Sequence, residues 1–177
     1  MGNLVKHIGI ILSRGGSKRL PGKNIHEIHG KPMLGWTVEA ALQSGQYERV
    51  LVSTDDPEIA EIGRSFGAEA PFLRDAATGD SARSSEATLT ALAQAEHHWN
   101  EQYDYVSQLM ANCPLRDEAD ISAAVANFIN HKAEAQISCF QFGWMNPWWA
   151  VKLDAQKRPD HLFPEVRETR SQDLPPL

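Results

Sequence analysis

Ile8-Gly9-Ile10-Ile11-Leu12-Ser13-Arg14-Gly15-Gly16-Ser17-Lys18-Arg19-Leu20-Pro21-Gly22-Lys23-Asn24 is the stretch on which the reading of this chain turns. Its apolar start reads as a short buried strand. The paired glycines let the backbone turn and bring its N–H groups close to a ligand. Four cations, Arg14, Lys18, Arg19 and Lys23, then fall within ten residues. Backbone donors with clustered cations suit a polyphosphate. An ordinary turn with solvated basic side chains is the plainer reading, and it accounts for a bare Gly-Gly better than for the whole string.

The rest of the chain makes this loop stand out. The net charge over 177 residues is −6, which argues against non-specific nucleic-acid binding. A basic loop on an acidic background fits a small anion. The 42% apolar and 23% charged content is that of an ordinary globular chain, long enough for one domain with a sizeable core. No apolar run approaches the roughly 20 residues that span a bilayer. The N-terminus lacks a signal-peptide pattern, so no membrane partner and a cytoplasmic location are expected. Cys113 and Cys139 fit no metal spacing and read as core residues. The scattered histidines, among them His26, His29 and the pair His97-His98, give no zinc pattern.

Outward from the loop, strand and helix alternate. Strands are expected at 7–12, 50–54, 105–110 and 135–142. Helices are expected from Pro32 to Gly45, from Asp55-Asp56-Pro57 to Gly67, from Ser84 to Trp99 and from Asp117 to His131. Residues 70–73 form a short extended piece and 74–83 a polar loop. Such alternation implies βαβ units and a parallel sheet, with ligands at the carboxyl ends of the strands. Four features occupy those ends: the basic loop, Ser53-Thr54-Asp55-Asp56, Asn112 to Arg116, and the aromatic run from Phe142 to Trp149. They are expected to converge on one cleft. An N-cap explains at least one of Asp55 and Asp56, Asp55 first; a place near the nucleotide or metal is the alternative.

The loop matches neither the Walker A spacing nor Gly-x-Gly-x-x-Gly. Arg-Gly-Gly-Ser-Lys-Arg-Leu-Pro-Gly-Lys-Asn from Arg14, followed by Gly30-Lys31-Pro32-Met33, instead resembles the nucleotide-diphospho-sugar transferase superfamily. Within it the chain is most similar to the acylneuraminate cytidylyltransferases, or CMP-sialic acid synthetases. Val52 to Asp56 with Glu58-Ile59-Ala60, Gly67-Ala68-Glu69 with Pro71 to Arg74, Cys113 to Arg116, and Arg170 to Pro175 continue the resemblance in register. It implies an α/β, Rossmann-like three-layer sandwich with a mostly parallel sheet, as one domain over 1–177. It also implies Mg²⁺, a homodimer, and cytidylyl transfer from CTP to the 2-hydroxyl of a sialic-acid-like nonulosonic acid.

By the same resemblance Arg14 and Lys23 contact the triphosphate and act in catalysis, and cations there stabilise departing pyrophosphate. Ser17, Lys18 and Asn24 come next, and the Gly15-Gly16 backbone lines the nucleotide. Arg74, with Ser84 or Ser85, reaches the nucleotide as well. Asn112, Arg116, Arg170 and Gln172 face the sugar acid, with arginine suited to its carboxylate; Arg167 is a weaker candidate.

Several departures qualify the match. Leu12-Ser13 replaces the family's Pro-Ala. Met110 stands where a substrate-facing Gln is usual and makes no strong hydrogen bonds, a loss that Asn112 partly offsets. Trp149 stands near a family Lys, in a run readable as a sugar or acyl platform, a dimer contact or core. These changes point to a less polar nonulosonate, such as a deoxy or di-N-acyl sugar acid. The chain stops at Leu177, before a late Asp-x-Asp pair that holds Mg²⁺ in the family, so C-terminal truncation is expected and the metal ligands stay unknown. The alternatives are a non-catalytic nucleotide- or sugar-binding homologue, or a nucleotidyltransferase for a different sugar acid.

Overall fold

His7 to Leu12 form β1, the strand that the opening run predicts. The chain then passes through the basic loop and a short antiparallel pair, β2 (Glu27–Ile28) and β3 (Lys31–Pro32), into α1 (Met33–Gln43). Next come β4 (Arg49–Ser53), α2 (Pro57–Ser65), α3 (Ser84–Trp99), β5 (Tyr105–Met110) and α4 (Glu118–Asn130). The computed structural model describes residues 5–17, 20–79, 82–139, 147–169 and 173–175. Its contacts divide the chain into two units, Met1–Glu134 and Ala135–Leu177.

In the first unit β1 lies between β4 and β5, parallel to both, with Ile10 opposite Leu51 on one side and Gln108 on the other. Side chains alternate across such a sheet. Ile11, Val50, Val52 and Leu109 pack with Leu34 and Val38 of α1, Ile59 of α2, and Ile121 and Val125 of α4. Ile8, Ile10 and Leu51 face the other way, onto Ala91 and Ala95 of α3. Alanines four apart on α3 lie on one stripe and let the helix approach closely. The result is helix, sheet and helix in three layers.

This layering follows from handedness. The connection from β1 to β4 runs one way along the sheet, and that from β4 to β5 runs back past β1. Right-handed crossovers in opposite directions place α1 and α3 on opposite faces. A parallel bridge between Leu51 and Glu69 extends the outer edge of β4, close to the short extended piece expected at 70–73. No helix among the described residues is long and apolar enough to cross a membrane.

Three sequence expectations need correction. Residues 135–139 form no strand and are exposed, Ile137 at 87%; 140–142 lie outside the described residues. An alternating pattern becomes a strand only when a neighbour pairs with it. Cys139 is accordingly exposed and Cys113 half-buried, so neither is a core residue. The cap of α2 is Asp56, not Asp55: its Oδ1 accepts the N–H groups of Glu58 and Ile59 at 2.8 and 3.4 Å.

The second unit holds a hairpin absent from the sequence reading, β6 (Val151–Leu153) with β7 (Pro159–His161). Asp154 organises its turn by accepting from the Gln156 and Arg158 N–H groups. In the same unit Trp148 packs edge-on against Phe163 and donates to the Pro175 carbonyl.

At the amino edge of the first unit, Arg49 ties three segments together. It donates to both oxygens of Glu101 and both of Glu69, and its guanidinium lies 4.5 Å from the Trp99 ring centroid. The hydrogen bond from Arg49 holds the Glu101 carboxyl down from 4.5 to about 2, helped by one from Tyr103.

Two predictions follow from this packing. A Cβ at Gly63 would lie 2.9 Å from Val52 Cγ2, and fully buried Val52 has no room to move. Gly63→Ala should lower the urea unfolding free energy by about 1–2 kcal/mol; an unchanged value would show that α2 shifts freely. The depressed Glu101 pKa adds stability that is complete above its ordinary 4.5 and lost as pH falls through about 2. Melting curves should therefore show the gap between the parent and Arg49→Met shrinking across that window, and a constant gap would contradict the assignment.

Candidate active site

The three parallel strands end at one edge, and the loops leaving them gather there. The Ser13 N–H donates to the Ser53 carbonyl at 3.0 Å, joining the first loop to the end of β4. Two residues on, the Gly15 N–H donates to Asp55 Oδ1 at 2.9 Å. A Cβ at Gly15 would lie 2.5 Å from Asp56 Oδ2 and 2.9 Å from Asp56 Cβ. Close approach, rather than a left-handed turn, therefore demands glycine here, since neither Gly15 nor Gly16 has positive φ. Gly16 has open space around it. The Ser17 N–H turns back to the Gly15 carbonyl at 2.9 Å. Lys18 lies outside the described residues.

Farther along the loop, Gly22 adopts φ +65° and opens a single 3-10 turn, Lys23–Ile25. Asn24 is buried in that turn, its Nδ2 3.5 Å from the Arg14 carbonyl. Lys23 is half-buried.

Arg74 joins this cluster from the far side of β4. It is 5% exposed. Its N–H donates to the Thr54 carbonyl at 2.7 Å, and one guanidinium nitrogen donates to the Ser53 carbonyl and hydroxyl, both at 3.0 Å. Burial lowers the guanidinium's pKa from its ordinary value; the Asp55 carboxylate opposes that and nearby Arg14 adds to it. Arg74 Nε and Ser13 Oγ are buried without a hydrogen-bond partner among the described residues. Buried polar groups are rarely left this way, and two at one edge mark it as a place suited to a polar ligand.

The end of β5 contributes differently. Asn112 is exposed. Arg116 folds back onto the protein, donating to the Met110 carbonyl at 3.2 Å and lying 3.5 Å from Thr37 Oγ1; its Nε is buried and unpartnered among the described residues. Met110 is 42% exposed, beside Gln108, whose Nε2 lies 3.6 Å from the Met110 sulfur. Ser84 is the exposed first residue of α3, and its carbonyl accepts from Thr88. Arg170 and Gln172 lie outside the described residues, as does most of the aromatic run.

Arg14, Gly15, Gly16, Ser17, Lys23, Asn24 and Arg74 thus share one neighbourhood. Sequence reading did not name Thr37, and it named Ser13 and Ser53 only within longer stretches without a role of their own, because their roles depend on partners tens of residues away. Among the described residues, no three or more His, Cys, Asp or Glu side chains gather as a metal-binding group. Asp55 and Asp56 each hold backbone N–H groups.

Comparison with known proteins agrees with this architecture. The family model described as Cytidylyltransferase matches residues 8–167. The pseudaminic acid cytidylyltransferase of Campylobacter jejuni is 34% identical over 171 residues, covering 96% of this chain and 73% of that protein. The CMP-N,N'-diacetyllegionaminic acid synthase of Legionella pneumophila is 32% identical, covering 84% of this chain and 63% of its own length. A solved CMP:2-keto-3-deoxy-manno-octonic acid synthetase complexed with CTP superposes with a TM-score of 0.59 at 28% identity. That match covers 72% of this chain and 49% of the solved one, so the chain spans about half the length of that structure. The fold is that of the nucleotide-diphospho-sugar transferases, and the chain belongs to the cytidylyltransferase family.

Proposed function

We propose that this chain carries the nucleotide half of an enzyme that transfers a cytidylyl group from CTP to the 2-hydroxyl of a nonulosonic acid. The observation that carries the proposal is the basic loop from Arg14 to Asn24. It leaves the central strand beside buried Arg74, in a chain that matches the cytidylyltransferase model over residues 8–167. The sugar hydroxyl oxygen forms a bond to the α-phosphorus as the bond from that phosphorus to the bridging oxygen breaks. The hydroxyl proton passes to water, and pyrophosphate departs with the negative charge.

Arg14 and Lys23 are assigned to that departing charge, where fixed cations lower the barrier most. Ser17, Lys18 and Asn24 assist at the triphosphate. Gly15 and Gly16 line the nucleotide, and Arg74 and Ser84 reach it as well. Asn112, Arg116, Arg170 and Gln172 are assigned to the sugar acid; Arg116 would turn from the Met110 carbonyl to meet a carboxylate. Mg²⁺ belongs to the proposal as the counter-ion of the triphosphate, with no described residue assigned to it. Pseudaminic acid is the first-choice acceptor, because 34% identity to a pseudaminic acid cytidylyltransferase extends over 96% of the chain. The apolar Met110 agrees with an acceptor less polar than N-acetylneuraminic acid.

Pyrophosphate release from CTP, measured with pseudaminic, legionaminic, N-acetylneuraminic and 3-deoxy-manno-octulosonic acids in turn, tests this. Release should require both a nonulosonic acid and Mg²⁺ and be fastest with pseudaminic acid. Equal CTP turnover without any sugar acid would sink the proposal. Arg14→Ala should lower kcat by about 10²–10³-fold while shifting the unfolding free energy by no more than about 0.5 kcal/mol. Near-parental turnover in that variant would remove the loop from its assigned role.

A further inference from the structure

Two carboxylates follow β4, and they do different work. Asp56 caps α2 through its Oδ1. Asp55 reaches back across 40 residues, and its Oδ1 accepts the Gly15 N–H at 2.9 Å. Gly15 directly follows Arg14, so this bond fixes the backbone from which the first cation of the loop springs. The Asp56 side chain fills the space a Gly15 Cβ would need, so the loop lies flush against the turn. The Ser13 N–H to Ser53 carbonyl bond adds a third attachment.

The same turn also anchors the second basic arm. Thr54 and Ser53 accept from the Arg74 backbone and guanidinium. Arg14 and Arg74 are within electrostatic reach of each other and repel, and the Asp55 carboxylate within reach of Arg74 offsets that repulsion. One turn after β4 thereby holds both cationic arms, with Asp55 hydrogen-bonded to the loop and Asp56 packed against it.

We propose that Asp55 is a positioning residue: through its bond to the Gly15 N–H it holds the Arg14–Ser17 backbone in the conformation that receives a triphosphate, and it neither ligates a metal nor moves a proton. This rests on the nucleotide reading given above. It implies that the Gly15 N–H serves the scaffold, so that the cations and the rest of the loop backbone face the anion.

The test compares the full chain with Asp55→Ala and Asp55→Asn by calorimetric titration with CTP, by thermal melting and by hydrogen–deuterium exchange of residues 13–17. In Asp55→Asn the side-chain oxygen still accepts the Gly15 N–H; in Asp55→Ala nothing does. Asp55→Ala should weaken CTP binding by about 10–100-fold, the range of a charge-assisted hydrogen bond, with a near-parental melting temperature and faster exchange in the loop. Asp55→Asn should stay within about 5-fold of the parent in affinity, with loop exchange restored, because it keeps the acceptor. Parental CTP affinity in Asp55→Ala, or equal losses in both variants, would overturn the proposal. If the parent itself binds no CTP, the nucleotide reading fails. The exchange data then decide alone: loop protection lost in Asp55→Ala and restored in Asp55→Asn upholds the clamp, and unchanged protection in Asp55→Ala refutes it.

Discussion

Burial of β1 on both faces and both edges constrains everything else in the first unit. Ile8, Ile10 and Ile11 are fully buried, and parallel ladders to β4 and β5 occupy both sides of the strand. A strand enclosed in this way must send its chain out beyond its carboxyl end. The residues that follow it, Ser13 to Asn24, are therefore delivered to the point where the strand order reverses. Parallel α/β sheets leave a crevice there, open to ligands. The basic character of those residues then has a location.

The geometry of that edge separates two uses of the loop that look alike in a string of letters. Gly15 is confined by contact with Asp56 and its N–H is taken by Asp55, whereas Gly16 is unconfined. The glycine pair thus divides into one residue that docks the loop and one that leaves it open. Arg74 shows the same division within one side chain, with part of the guanidinium anchored to Ser53 and Nε left unpartnered among the described residues. Anchored groups set position, and unpartnered ones remain for chemistry.

Much of the fold is legible in the sequence, for identifiable reasons. β1 falls where a short continuous apolar run puts it, β5 where a short strand-like run does, and α3, at 16 residues, where helical periodicity does. The α2 cap misses by one residue: Asp55 and Asp56 are both good caps, and only backbone geometry chooses between them. The pattern at 135–139 misleads because alternation describes a surface that wants a partner without supplying one. The β6–β7 hairpin hides because its turn is built by Asp154 and by Lys157 at φ +60°, with no glycine to signal it. The family membership is legible from the loop string, whose residue order is far more specific than its composition.

By itself, the sequence determined the class of fold, the placement of a basic loop after a buried strand, and the family. Periodicity and motif order are local properties and survive without coordinates. Only the tertiary structure decided what each loop residue touches. It assigned Asp55 to Gly15, Asp56 to α2, Ser53 to Arg74, and Thr37 with the Met110 carbonyl to Arg116. All but the Asp56 cap and the Met110 contact join segments some 20 to 80 residues apart. Which hydrogen bonds form across such separations depends on strand order and crossover hand, and no local pattern encodes either.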